Sequence, residues 1–148
     1  DARGWLVKDK ASMIRKKRAF LQDQEAVDPG DAGAPGRQFC RTEFFREGTQ
    51  GRFSLLRCRL HTGKTHQIRA TLCSLGFPLV GDKIYGRDET IFLRFARGEL
   101  SDADRELLIL DNQALQSCRL AFNHPIEERP MGFELPVPQT WIQLVSSS

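Results

Sequence analysis

The stretch that decides the fold runs from Leu60 to Gly86, L-H-T-G-K-T-H-Q-I-R-A-T-L-C-S-L-G-F-P-L-V-G-D-K-I-Y-G. Ahead of it, Phe53 to Leu60 alternates, with Ser54, Leu56, Cys58 and Leu60 on one face and Phe53, Leu55, Arg57 and Arg59 on the other. A period of two is a strand. The pattern breaks at Thr62-Gly63, and Ile68, Leu72 and Leu75 then recur at the spacing of one helix face. Gly76 closes that helix and Pro78 prevents its restart. Thr62 or Thr65 is the expected N-cap. Lys64, Thr65, His66 and Gln67 then fill a first turn whose unpaired N–H groups and dipole favour an anion.

Upstream, Trp5 to Lys8 and Met13 to Phe20 read as short strands joined at Asp9-Lys10. The second carries Arg15, Lys16, Lys17 and Arg18 in a row, which puts charge on both faces of a strand. Such a run is either a solvated segment or a contact for RNA phosphates. Gln22 to Gly36 has the composition of a linker, with two prolines and three glycines, and is expected to be mobile. Phe39 to Arg46 alternates again, and a turn at Gly48 to Gly51 makes it a hairpin with the Phe53 strand.

Downstream, Thr90 to Phe95 is short and apolar, and Ser101 opens a capped helix with acids in its first turn. Leu115 to Phe122 and Gly132 to Leu135 read as strands, and Gln139 to Val145 as a terminal helix. No internal repeat is visible. This irregular order of elements predicts an α+β fold, a mixed and largely antiparallel sheet with a few flanking helices.

At 148 residues the chain has the length of about one domain. No apolar run approaches the roughly 18 residues of a membrane span. Cys40, Cys58, Cys73 and Cys118 form no C-x-x-C pair, which gives no zinc frame and points to a reducing cytoplasm. The net charge of +3 hides an asymmetry: residues 1–87 hold 17 Lys/Arg against 9 Asp/Glu, and residues 88–148 hold 5 against 10. A basic half of that kind is either a solvated face or a surface for a polyanion.

The run T-G-K-T-H-Q-I-R, with G-D-K-I-Y-G beginning twelve residues after it, resembles the RluA-type family of RNA pseudouridine synthases. Lys64 stands where the family usually has Arg, keeping the charge and losing the planar fork. Gln113 to Ser117 and Leu120 to Pro125 are similar to the family's R-Q-A-L-H-A strand and F-x-H-P turn, with Gln116 and Ser117 departing from the pattern. The family's H-R-L-D type motif, which supplies the catalytic Asp, and its base-stacking Tyr are not found between Asp1 and Ser148. The resemblance therefore implies the C-terminal portion of one catalytic domain, with the upstream part carrying that Asp absent.

The resemblance implies isomerisation of uridine to pseudouridine in RNA, ribosomal or transfer, without cofactor or metal. It implies that Arg69 supports the absent catalytic Asp, as an opposite charge a few Å away lowers a carboxylate pKa and Arg stays ionised when partly buried. The bland alternative is that Arg69 pairs with a structural acid. Ile68 resembles the aliphatic residue that packs on the target base, and also suits a core position. Lys64, Thr65, His66 and Gln67 are expected to shape the turn or contact phosphate, with Arg15, Lys16, Lys17 and Arg18 as further RNA contacts. Asp82 is the local alternative nucleophile but matches a different motif position. Trp5, Phe39, Phe44, Phe45 and Phe53 sit among the cations and are candidates for stacking or core.

A noncatalytic RNA-binding module on the same scaffold is the competing function. A metal site from His61, His66 and His124 is a third, poorly supported by spacing. If the upstream part is missing, an open sheet edge and bare apolar surface lead this chain to self-associate or to bind the missing half.

Overall fold

The computed structural model describes residues 1–28 and 35–146. Its elements are β1 (Ala2–Lys8), β2 (Arg18–Gln22), β3 (Arg37–Gln50), β4 (Phe53–Leu60), α1 (Gln67–Ser74), α2 (Thr90–Arg97), α3 (Asp102–Leu108), β5 (Arg119–Asn123), β6 (Pro130–Glu134) and α4 (Gln139–Val145). The architecture is α+β with antiparallel strand pairs. Two compact units are present, one from residues 1–45 and 57–114 and the other from 46–56 and 115–148. Among the described residues no helix is long and apolar enough to cross a membrane.

Four strands form a sheet in the order β2-β1-β3-β4, with residues 46–56 of the β3–β4 hairpin belonging to the second unit. β1 pairs antiparallel with both neighbours, placing Leu6 opposite Phe20 on one side and Gln38 on the other. Alternation sorts the faces, with Ala2, Gly4 and Leu6 buried on β1 and Cys40 and Thr42 buried on β3. Ala2, Leu6, Phe20, Cys40, Ala70 and Tyr85 form the core, joined by the half-buried Phe44, Cys73, Leu75 and Ile84.

Of the basic run only Arg18 lies in a strand, contrary to expectation. The Asp9 N–H donates to the Lys17 carbonyl at 3.1 Å and the Lys17 N–H to the Ile14 carbonyl at 2.9 Å, so β2 starts only at Arg18. Four successive cations in a strand would force charge toward the core. The turn instead buries Ile14 and swings Lys17 onto Glu89, 2.6 Å away. The hairpin turn is also tighter than expected: β3 continues to Gln50, leaving only Gly51 and Arg52 between the strands.

The start of the linker-like segment is tied down. The Asp23 N–H donates to the Arg3 carbonyl, the Trp5 indole N–H donates to Asp23 Oδ2, and Ala26 is buried. Residues 29–34, where mobility was also expected, lie outside the described residues.

In α1 neither threonine is the N-cap. His66 takes that place with φ 61, and the helix begins at Gln67, so Lys64, Thr65 and His66 precede the first turn rather than fill it. Thr62 is engaged elsewhere, its Oγ1 accepting the Arg41 N–H and donating to Gln67 Oε1. Gln67, Ala70, Thr71 and Leu72 are buried, while Ile68 is only half-buried. Gly76 ends the helix as expected: its N–H and that of Phe77 donate to the Cys73 and Leu72 carbonyls, a Schellman closure.

Ser101 caps α3 as its sequence predicts. Its Oγ accepts the Asp104 N–H and Asp104 Oδ2 accepts the Ser101 N–H, a reciprocal box worth about 1 kcal/mol.

In the second unit β5 and β6 form an antiparallel hairpin with Leu120 opposite Phe133 and Phe122 opposite Met131. Opposed residues share a face, so these four side chains line one side, where the Phe122 and Phe133 rings stack at 6.1 Å. That side is open to solvent, with Leu120 56%, Phe122 41% and Phe133 52% exposed. β5 begins at Arg119 rather than Leu115, and α4 spans the residues expected of it.

Candidate active site

Two motifs distant in sequence meet beside α1. Arg69 projects from the helix onto Asp82, its Nε 2.7 Å from Oδ2 and its Nη2 2.8 Å from Oδ1. Asp82 Oδ1 also accepts the backbone N–H groups of Ile84 and Tyr85, both at 2.9 Å, so the carboxylate closes its own turn while clamping the helix. Burial pushes the Asp82 carboxyl up, but the Arg69 hydrogen bond and the two backbone donors outweigh it and hold the group below the usual carboxylate range.

The glycines of G-D-K-I-Y-G permit this closeness. A Cβ on Gly81, whose φ is 75, would lie 2.0 Å from the Asn112 carbonyl oxygen, and one on Gly86 would lie 2.2 Å from the Asp82 carbonyl oxygen. Neither distance admits a side chain.

Tyr85 is the second joint. Its ring is buried in the core, with the Arg69 guanidinium carbon 4.9 Å and Lys17 Nζ 5.7 Å from the ring centre. Its hydroxyl accepts the Arg18 N–H at 2.8 Å and lies 3.0 Å from His66 Nδ1. The hydroxyl and Nδ1 share one hydrogen bond, its direction set by the imidazole tautomer. Burial first, and then the positive charge of Arg69, hold His66 below its usual value, so the ring is neutral at pH 7. The same bond secures the left-handed backbone of His66, an uncommon state for a residue with a side chain.

Gln67 binds the loop to the sheet. It is 3% exposed, its Oε1 accepts from Thr62 Oγ1 and the Lys64 N–H, and its Nε2 donates to the Arg41 carbonyl and Thr42 Oγ1. With its amide spent inside the protein, Gln67 shapes the turn and is left out of the RNA-contacting set proposed below.

The structure thus brings together Arg69, His66, Lys17 and the backbone of Arg18. Lys64, Thr65, Arg15 and Lys16 remain exposed, and Ile68 lies half-buried beside Arg69. Lys17 is not an outward cation: Glu89, itself bonded by Ser12 Oγ at 2.8 Å, holds it at 2.6 Å. Sequence reasoning missed Tyr85 as the hub and Asp82 as the partner of Arg69. An Asp two and three residues before the N–H groups it accepts is the signature of an Asx turn, and that signal was present in G-D-K-I-Y. Among the described residues no group of three or more His, Cys, Asp and Glu could hold a metal ion.

Fold and site define an α+β chain in which a strand-to-helix motif and a Gly-Asp turn are locked by a buried Arg–Asp pair. Over 123 residues, 82% of the chain, it is 38% identical to the ribosomal large subunit pseudouridine synthase D of Vibrio vulnificus, of which it covers 34%. It is 40% identical over 90 residues to an uncharacterized RNA pseudouridine synthase of Chlorobaculum parvum (60% of this chain, 27% of that one). It is 34% identical over 100 residues to the chloroplastic RNA pseudouridine synthase 2 of Arabidopsis thaliana (64% and 23%). No protein-family model matches the chain. Over most of its length the chain is thus similar to RNA pseudouridine synthases. It spans about a third of the length of the curated relatives it matches most fully.

Proposed function

We propose that this chain is the C-terminal part of the catalytic domain of an RNA pseudouridine synthase acting on uridine in ribosomal or transfer RNA. The observation that carries the reading is Arg69, set at the family's motif position and fixed by Asp82, with Ile68 next to it. The reaction breaks the bond from ribose C1′ to uracil N1, turns the ring and rejoins C1′ to C5; the C5 proton leaves to solvent and N1 takes one up. Atoms balance without a cofactor, a metal or a redox partner.

In this reading the catalytic Asp comes from residues upstream of Asp1. Asp82 holds the Nε and Nη2 side of Arg69, which aims the rest of the guanidinium at the incoming carboxylate and keeps that carboxylate ionised. Ile68 packs on the base, and Lys64, Thr65, His66, Arg15, Lys16 and Arg18 face the RNA backbone. Lys17, tied to Glu89, positions the turn that carries Arg15 and Lys16. A cytoplasmic setting fits four cysteines that are all unbridged.

Mapping pseudouridine in ribosomal and transfer RNA, with the gene deleted and then restored, tests the reading. Loss of one modified position and its return on complementation support it. An unchanged map contradicts it. The second reading, a noncatalytic RNA-binding module, is favoured by the completeness of the Arg69–Asp82 pair within this chain. It predicts RNA binding with an unchanged map.

A further inference from the structure

The face of the sheet turned away from α1 carries a second set of cations. On β3, Arg37, Phe39, Arg41, Glu43 and Phe45 alternate with the inward Cys40 and Thr42. On the neighbouring edge strand, Arg57 and Arg59 both lie over the Phe45 ring, their guanidinium carbons 4.8 and 5.4 Å from its centre. Glu43 stands among them and is shared, with His61 Nε2 at 2.9 Å, Arg59 Nη1 at 3.4 Å and Arg41 Nη2 at 3.7 Å.

We infer that this outward face of β3 and β4 docks a single-stranded segment of RNA along Phe45, Arg57 and Arg59, which then passes round the sheet edge to Lys64. Arginines serving only for solubility extend into water, yet here two guanidiniums converge on one ring. Seated against an aromatic face, a guanidinium is pre-oriented. Its plane is a platform for a base and its edge donates to phosphate. Arg41 and Arg59 flank Glu43 and His61 hydrogen-bonds it, so its carboxylate acts as a clasp rather than as a barrier to an anion. The path to the site is short, because the chain leaves β4 at Leu60 and reaches the exposed Lys64 before entering α1.

The inference rests on RNA being the partner, as proposed above, but not on catalysis at Arg69. The competing explanation is that edge-strand cations only prevent pairing with another sheet.

Anisotropy of a short labelled single-stranded RNA, titrated with this chain over a range of salt concentrations, separates the two. Arg57→Gln with Arg59→Gln is expected to weaken binding about tenfold and to lower the slope of log affinity against log salt by about 1.4, two phosphates at about 0.7 each. Arg97→Gln with Arg105→Gln, on α2 and α3, is expected to leave both unchanged. Arg57→Lys with Arg59→Lys keeps the slope and loses part of the affinity, which supports planar stacking even if the glutamine pair unfolds the hairpin. Unchanged affinity and slope in the Gln and Lys pairs, with increased self-association, overturn the docking surface alone. No binding by the unaltered chain overturns this surface and the RNA partner together.

Discussion

Arg69 and Asp82 meet edge to edge, two parallel hydrogen bonds of 2.7 and 2.8 Å joining a helix to a turn thirteen residues away. The Asp82 side chain is fully buried and that of Arg69 nearly so. In such a pair removing one partner strands the other charge. Arg69→Ala is therefore expected to destabilise the first unit by about 3–5 kcal/mol, read as a lowered urea midpoint. Asp82→Asn keeps the shape and still accepts one bond, and is expected to cost less. A midpoint unmoved by Arg69→Ala would show that the clamp carries no stability.

Tyr85→Phe removes only the hydroxyl. The ring stays in the core, but the Arg18 N–H loses its acceptor and His66 Nδ1 its hydrogen-bond partner. The expected cost is about 1–3 kcal/mol, with faster amide exchange at Arg18. Protection of the Arg18 amide unchanged from the parent would contradict the bond.

The depressed pKa of His66 has a pH signature. Below the ordinary value of 6.5 the unfolded chain takes up a proton that the folded chain resists, because of burial first and then the positive charge of Arg69. The unfolded state then binds more protons, and stability falls as pH is lowered from about 6.5 toward the folded value. Unfolding midpoints measured from pH 7.5 down to 5 are expected to decline, and His66→Asn, which tolerates the left-handed backbone, to flatten that decline. A midpoint that rises over this interval would reverse the assignment of the neutral ring.

The open apolar side of β5 and β6 predicts self-association of this chain. Leu120, Phe122 and Phe133 present a continuous surface with an aromatic stack at its centre. Sedimentation is expected to show mass rising with concentration, and Leu120→Ser with Phe133→Ser to suppress it. A monomer at high concentration would count against the prediction.

Much of this arrangement was legible in the sequence, and what was not has a common cause. The β4 alternation, the Gly76 stop, the Ser101 cap and the terminal helix are local signals, set by residues within a turn or two of each other. The start of α1 was misplaced because Thr62 is drawn off by Gln67 and Arg41, contacts 5 and 21 residues away. The basic run was read as a strand because nothing nearby reveals Glu89, the distant acid that turns Lys17 inward. Arg69 is legible from its motif, whereas Asp82 reads only as a nucleophile at a different motif position, although the two are one device. Spacing shows that each motif exists, and only the tertiary fold shows that they are partners.

The central claim is that Arg69 serves uridine isomerisation. Release of tritium from RNA labelled at uracil C5 tests it most directly, using the protein extended upstream of Asp1 and its Arg69→Lys variant, which keeps the charge but cannot form both bonds to Asp82. The account predicts release by the extended protein, a fall of at least about a hundredfold in kcat with Arg69→Lys at nearly unchanged RNA affinity, and no release by residues 1–148 alone. Undiminished release by the Arg69→Lys variant, or release by the short chain itself, would contradict it.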